Sequence, residues 1–183
     1  ELTKEQCGRI TKTVGQIIGQ VHYRQTQLND EISKHHLRNY LNALDFGHMI
    51  FLQSDVDSFE KLYGTQLDDQ VRFGNLRPAH QIFQRYLERL AERQKKVTTL
   101  LKEPMDFSKK ESFNPVRDEL PWPKTADEAN ELWRKRVKFE LLADRLTYAK
   151  AGEKPDPKKV EESVGKIQRR YDRLLKTMKA YEE

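Results

Sequence analysis

Six side chains in this sequence could bind a metal ion or act as a nucleophile: Cys7 and five histidines. The histidines are His22, His35, His36, His48 and His80. His35 and His36 are adjacent, so on a helix they point to different sides and do not readily share an ion. A zinc site needs three or four ligands, and His22, His48 and His80 have no ligand three or four residues after them that makes a standard pair. We therefore interpret His48, beside Gly47, as a partly buried histidine that hydrogen-bonds loop carbonyls.

Cys7 shows no sign of reactivity in its surroundings. A nucleophilic cysteine needs a partner base and an electropositive setting, and the neighbouring sequence identifies neither. We interpret Cys7 as a half-exposed helix residue. The motifs GxGxxG, GxxxxGKS/T, HExxH, GxSxG and CxxC are all absent from the sequence. We predict no catalytic, cofactor-binding or metal-binding residue in this chain, and no cofactor.

Basic residues cluster in three places, which raises the question of nucleic-acid binding. The net charge is +5, from 34 Lys and Arg against 29 Asp and Glu. The clusters comprise Arg85, Arg89, Arg93, Lys95 and Lys96; Arg134, Lys135, Arg136 and Lys138; and Lys166, Arg169, Arg170 and Arg173. Glu88 and Glu92 lie inside the first cluster. Interleaved signs are typical of helix faces with i,i+4 ion pairs, so we expect no nucleic-acid partner.

The overall composition favours a helical protein. Only 8 glycines and 7 prolines occur in 183 residues, while 34% of the residues are charged and 36% are hydrophobic. Collagen-like and disordered chains need more Gly and Pro or less apolar content, and a β-sandwich consumes turn residues. No stretch approaches the roughly 18 consecutive apolar residues of a membrane span. The sequence therefore predicts an all-α protein without a membrane span.

Apolar residues recur at helical spacing along most of the chain, which predicts about six helices in an irregular bundle that forms a single domain over 1–183. The predicted helices cover residues 3–28, 31–44, 55–73, 78–102, 126–149 and 157–181. A capping box at Thr3 and Gln6 precedes the first helix. Its apolar stripe, which we expect to face the core, comprises Ile10, Val14, Ile17, Val21 and Leu28. Gly15 and Gly19 would let another helix approach closely.

A proline-rich loop over residues 103–125 separates the fourth and fifth predicted helices. Four of the seven prolines lie between Pro104 and Pro123, together with Phe107, Phe113 and Trp122. Aromatic side chains carry large apolar areas that favour burial. We therefore predict that this loop packs over the helices.

Several words of the sequence, in their order and spacing, resemble one protein family. They are His22-Tyr23-Arg24-Gln25, the segment from Arg38 to Asp45, His48, Phe51-Leu52, Ser54-Asp55-Val56, Phe59, Pro104-Met105-Asp106-Phe107, Pro121-Trp122-Pro123-Lys124, Leu132-Trp133 and Val137-Lys138-Phe139. They resemble the N-terminal region of the tail-specific (carboxy-terminal processing) proteases of Gram-negative bacteria. The resemblance runs from about Val14 to about Leu146, and it is poor from Thr147 to about Val160.

The resemblance implies a periplasmic serine endopeptidase with a Ser–Lys dyad. In that family a PDZ domain recognises apolar C-termini of protein substrates, an adjoining protease domain cleaves, and some members work with a lipoprotein adaptor. The PDZ and protease domains are absent from this sequence and are expected downstream, and a signal peptide is likewise absent. The fragment alone is therefore expected to be inactive.

Three roles stay open at this point. The chain could be a scaffold that braces its own PDZ and protease domains, or a docking module for a substrate or an adaptor. The alternative is a stand-alone helical interaction module with no protease connection. Coverage of the helices by Phe107, Phe113 and Trp122 would favour the scaffold, whereas exposed aromatics near Trp122 would favour docking.

Overall fold

The computed structural model describes residues 3–21, 29–149 and 153–181, and it is all-helical over these ranges, as predicted. The helices are α1 (Lys4–Val21), α2 (Asp30–Leu44), α3 (Gln53–Tyr63), α4 (Leu67–Phe73), α5 (Arg77–Leu100), α6 (Ala126–Arg145) and α7 (Pro157–Ala180). None of the described helices has the length and apolar character needed to cross a bilayer.

Short polar side chains fix where several helices begin. Asn29 caps α2 by accepting a hydrogen bond from the backbone N–H of Ile32 at 3.0 Å, so the cap is one residue earlier than Asp30, the cap that the sequence suggests. Thr125 caps α6 in the same way, and Asp156 precedes the first-turn proline of α7. Such caps satisfy backbone donors that have no partner inside the helix. The Thr3–Gln6 capping box is also formed.

The segment predicted as one helix over 55–73 is two helices, so that prediction is wrong. α3 ends at Tyr63 and α4 begins at Leu67. The chain turns through Gly64, whose backbone N–H donates to the Glu60 carbonyl. A side chain on Gly64 would meet that same carbonyl oxygen at 2.5 Å. The glycine therefore permits a tight turn that the apolar period alone did not reveal.

The chain divides into two compact units, which are described separately. Unit 1 comprises Glu1–Phe46 and Gln53–Tyr86, and unit 2 comprises Gly47–Leu52 and Leu87–Glu183. In unit 1, α4 packs against α1 and α2, and α2 packs against α3. Its buried apolar side chains are Leu37, Leu41, Val56, Phe59, Leu67, Ile82 and Tyr86.

The apolar stripe of α1 is not buried in unit 1, contrary to the sequence-based expectation. Ile10 and Val14 are each 48% exposed, and Ile17 is 53% exposed. The burial of Gly19, Val21 and Leu28 lies outside what the structure describes. Helical periodicity shows that one face is apolar, but it cannot show whether a neighbour covers that face.

A close approach to α1 occurs at Gly8, a residue that the sequence analysis did not single out. A side-chain carbon at Gly8 would lie 2.7 Å from the carbonyl oxygen of Gly74, which ends α4 with a φ of 67°. Gly15 is buried in unit 1. Gly74 fits the left-handed position because it has no Cβ, and Gly8 lets the two backbones meet.

Unit 2 has its own core, formed by α6, α7, the C-terminal part of α5 and the segment Gly47–Leu52. Its buried members are Met49, Val97, Trp133, Val137, Ile167 and Tyr171. The rings of Trp133 and Tyr171 meet edge to face, with centroids 5.3 Å apart. This geometry is a favourable aromatic contact between α6 and α7.

Candidate functional site

The side chains that could have bound a metal do not come together. His35, His36 and His80 are exposed, and Cys7 is a half-exposed free thiol, as interpreted from the sequence. His22 lies outside the described residues. Among the residues that the structure describes, no group of three or more His, Cys, Asp or Glu side chains is placed to hold an ion.

His48 is buried, with 6% of its surface exposed, and it contacts a loop carbonyl, as interpreted from the sequence. Its Nδ1 lies within hydrogen-bonding distance of the Leu120 carbonyl, and because a carbonyl only accepts, Nδ1 carries the proton. The imidazole stacks on Trp122 with ring centroids 3.6 Å apart. The backbone at His48 has a φ of 48°, a left-handed conformation that histidine adopts more readily than most residues.

The segment that contains His48 is joined to α6 by the indole of Trp133. Trp133 is 1% exposed and donates from Nε1 to the Met49 carbonyl at 2.8 Å. Arg117, from the 103–125 loop, donates from Nε to the Gly47 carbonyl at 3.3 Å. These bonds satisfy backbone carbonyls in a segment that belongs to no helix.

The aromatic residues of the 103–125 loop pack onto unit 2. Phe107, Phe113 and Trp122 are all half-buried. Phe113 contacts the core of unit 2 and lies beside Phe139, with ring centroids 5.4 Å apart. The Lys138 ammonium lies over the Phe107 ring at 5.9 Å. The loop thus covers part of α6.

An ion-pair cluster ties the same loop to α6. The carboxylate of Glu111 accepts hydrogen bonds from Arg134 and from the largely buried Lys138. The bond from Arg134, followed by the bond from Lys138, lowers the pKa of Glu111 to about 2. The carboxylate therefore stays charged well into the acid range.

Side-chain pairs also join α7 to its neighbours. Lys166 contacts Asp144 of α6 at 2.7 Å, and this bond, helped by one from Ser163, lowers the pKa of Asp144. Tyr171 donates to Glu140 at 2.8 Å, and burial of the phenol is the main cause that raises the pKa of Tyr171 to about 12. Members of all three basic clusters form ion pairs: Arg85 with Asp55, Arg89 with Glu92, Arg134 with Glu131, and Arg170 with Glu140.

Unit 1 contains an apolar groove, here called the α1 groove, that the sequence analysis missed. It has a volume of about 340 Å³. Its apolar walls are Ile10, Val14 and Ile18 of α1, Ile32 of α2, and Leu67 and Val71 of α4. The sequence signal that could have indicated it is Gly8, since the contact of Gly8 with Gly74 sets how α1 lies against α4.

In a comparison with known protein families, residues 14–183 match the family described as the tail-specific protease N-terminal domain. The chain belongs to this family. A relative, the tail-specific protease of Haemophilus influenzae, is 31% identical over 174 residues. The match covers 95% of this chain but only 24% of the relative's length. The resemblance drawn from the sequence is therefore confirmed, and the alternative of a module without any protease connection loses its support.

Proposed function

We propose that this tail-specific protease N-terminal domain is a non-catalytic scaffold of a periplasmic serine endopeptidase. It braces the PDZ domain, which recognises apolar C-termini of protein substrates, and the protease domain, which cleaves them. Family membership supports the connection to a protease. From that membership we also infer three properties of the whole protease: carboxy-terminal processing activity, serine chemistry and a periplasmic location.

The observation that carries the scaffold role is the packing of the 103–125 loop. Phe113 packs against the core of unit 2, and Trp122 stacks on His48. A loop that presented aromatic rings to a transient substrate would leave them accessible. Glu111 adds ion pairs that hold the loop on α6. The loop therefore fits a rigid brace better than a mobile substrate-binding element.

The experiment that tests this proposal separates stability from substrate binding in the full-length protease. Phe113→Ala removes a ring that packs on the core, and Val116→Ala is its control because Val116 is 69% exposed on the same loop. For a scaffold, Phe113→Ala lowers Tm and kcat while KM for a peptide with an apolar C-terminus stays unchanged. A raised KM with unchanged Tm would contradict the scaffold and favour docking.

The chain on its own is proposed to be inactive, with the Ser–Lys dyad outside it. Incubation of the 183-residue chain with an apolar-tailed peptide should give no cleavage, whereas the full-length protease should cleave the same peptide. Cleavage by the chain alone, retained after gel filtration, would contradict this part of the proposal.

Docking of a substrate or a lipoprotein adaptor is a second candidate, favoured by exposed apolar side chains at the C-terminal end of α6 and at its C-cap. Leu142 is 38% exposed and Leu146 is 65% exposed, one helical turn apart. Leu146→Asp in the full-length protease should weaken adaptor or substrate binding if this surface docks a partner. Ala126→Asp, exposed at the opposite end of the same helix, is the control for the added negative charge.

A further inference from the structure

The α1 groove has the features of a binding surface for another helix. The apolar side chains of α1 that line it recur at the spacing i, i+4 and i+8: Ile10, Val14 and Ile18. Each keeps between 38% and 48% of its surface exposed. Helix-in-groove recognition uses this spacing and this apolar character, since aliphatic knobs of a partner fill the spaces between successive turns.

The groove's lining includes one acidic side chain, Asp68, and one histidine, His36. Asp68 is 8% exposed and lines the groove beside Leu67 and Val71. Its Oδ1 accepts the Ser33 hydroxyl at 2.7 Å, and its backbone N–H donates to the Ser33 oxygen at 2.8 Å. A negative charge in a mostly apolar wall favours a partner that carries a positive charge at that point, because complementary charges fix the register of two surfaces.

We propose that the α1 groove holds an amphipathic helix with an aliphatic face and one Lys or Arg that reaches Asp68. We assign this helix to the part of the same protease outside the present chain. The assignment rests on the proposed scaffold function. It is supported by the length of the relative. The match covers 24% of that protease, so about three quarters of its length lies outside the matched region. The contact would attach unit 1 to the rest of the protease.

Thiol labelling tests the proposal without depending on catalysis. In a background with Cys7→Ser and no other reactive thiol, Val14→Cys places a probe in the groove. Lys12→Cys is the matched control because Lys12 is exposed on the opposite side of α1. We expect Val14→Cys to react at least about tenfold more slowly in the full-length protease than in the 183-residue chain, with Lys12→Cys changed less than about twofold.

The other outcomes each overturn the proposal. Equal labelling of Val14→Cys in both proteins would mean that the groove is empty in the protease. Equal protection of Lys12→Cys would mean that the whole helix is buried rather than its groove face. Protection that rises with the concentration of the chain alone would indicate a second copy, and protection only on addition of an adaptor would indicate a separate partner.

A second variant tests the cation. Asp68→Asn keeps an oxygen that can accept the Ser33 hydroxyl but removes the charge, and Asp69→Asn is the control because Asp69 is exposed on the same helix. Asp68→Asn should reduce the protection of Val14→Cys in the full-length protease by at least about threefold. Unchanged protection would overturn the basic partner. Labelling reports groove occupancy, so a failure here is distinct from a failure of the scaffold, which the Phe113→Ala kinetics report.

Discussion

Trp133→Phe should destabilise unit 2 through two separate losses. The indole of Trp133 is 1% exposed, and its Nε1 donates to the buried Met49 carbonyl at 2.8 Å. A phenyl ring retains an aromatic face toward Tyr171 but has no N–H. The substitution therefore removes this side-chain bond between α6 and the Gly47–Leu52 segment, and it leaves the space of the outer, six-membered ring of the indole.

The size of the effect follows from these two losses. Loss of a donor to a buried carbonyl costs about 1–2 kcal/mol. The smaller ring costs about another 1–2 kcal/mol in lost contacts and residual cavity. Trp133→Phe should therefore lower the free energy of unfolding by about 2–4 kcal/mol in total. Trp122→Phe is the control, because Trp122 is only half-buried and a phenyl ring can still stack on His48.

Urea unfolding followed by far-ultraviolet circular dichroism measures both variants. With an m value of about 2 kcal/mol/M, Trp133→Phe should lower the urea midpoint by about 1–2 M, and Trp122→Phe by less than about 0.5 M. The chain has 2 tryptophans, so each variant also leaves one fluorophore that reports its own surroundings. Equal midpoints for the two variants would refute the reasoning that the Trp133–Met49 bond stabilises unit 2.

Three further predictions follow from local contacts. The pKa of Glu111 is lowered from 4.5 to about 2. The stabilisation by the charged Glu111 carboxylate is therefore present above pH 4.5 and is lost as the pH falls toward 2. Glu111→Gln should make the free energy of unfolding less dependent on pH over that range. Gly8→Ala should destabilise unit 1 by roughly 1–3 kcal/mol in thermal unfolding, because the new methyl would meet a backbone oxygen at 2.7 Å. Ser33→Ala should cost about 1–3 kcal/mol in urea unfolding, since it removes a hydroxyl that both donates and accepts in a buried site.

Each of these has a matched control. Gly165→Ala is also within a helix, but its nearest neighbour is the mobile end of the Arg169 side chain, so better helix propensity should make it neutral or stabilising by up to about 1 kcal/mol. Ser58→Ala removes an exposed hydroxyl and should change stability by less than about 0.5 kcal/mol. Glu119→Gln changes an exposed acid of the same loop. If a control changed stability or acid unfolding as much as its paired variant, that result would contradict the contact on which the prediction rests.

The sequence predicted most of the helices, because apolar period and capping residues are local signals. The capping box at Thr3 and Gln6 is found where the sequence indicated it. The packed aromatic loop was also predictable, since Phe113 and Trp122 carry apolar area that a soluble chain tends to bury. The structural role of His48 followed from its isolation in the sequence.

Other features were outside the reach of local signals. The break between α3 and α4 depends on a tight turn at Gly64, and an apolar period continues through it without a visible change. The stripe at Ile10 and Val14 was expected to be buried, but a stripe records only that one face is apolar. The proposal that a basic residue binds in the α1 groove depends on Asp68, which lies far from α1 in the sequence.

By itself, then, the sequence determined the fold class, the likeness to tail-specific proteases and the lack of standard enzyme motifs. These three conclusions rest on composition, apolar periodicity and short motifs, all of which are read along the chain. Only the tertiary structure decided which partners those residues have: Trp133 with Met49, Ser33 with Asp68, and Gly8 with Gly74. The physical reason is that such pairs are separated by many residues in sequence, so their contact depends on how helices pack rather than on any local preference.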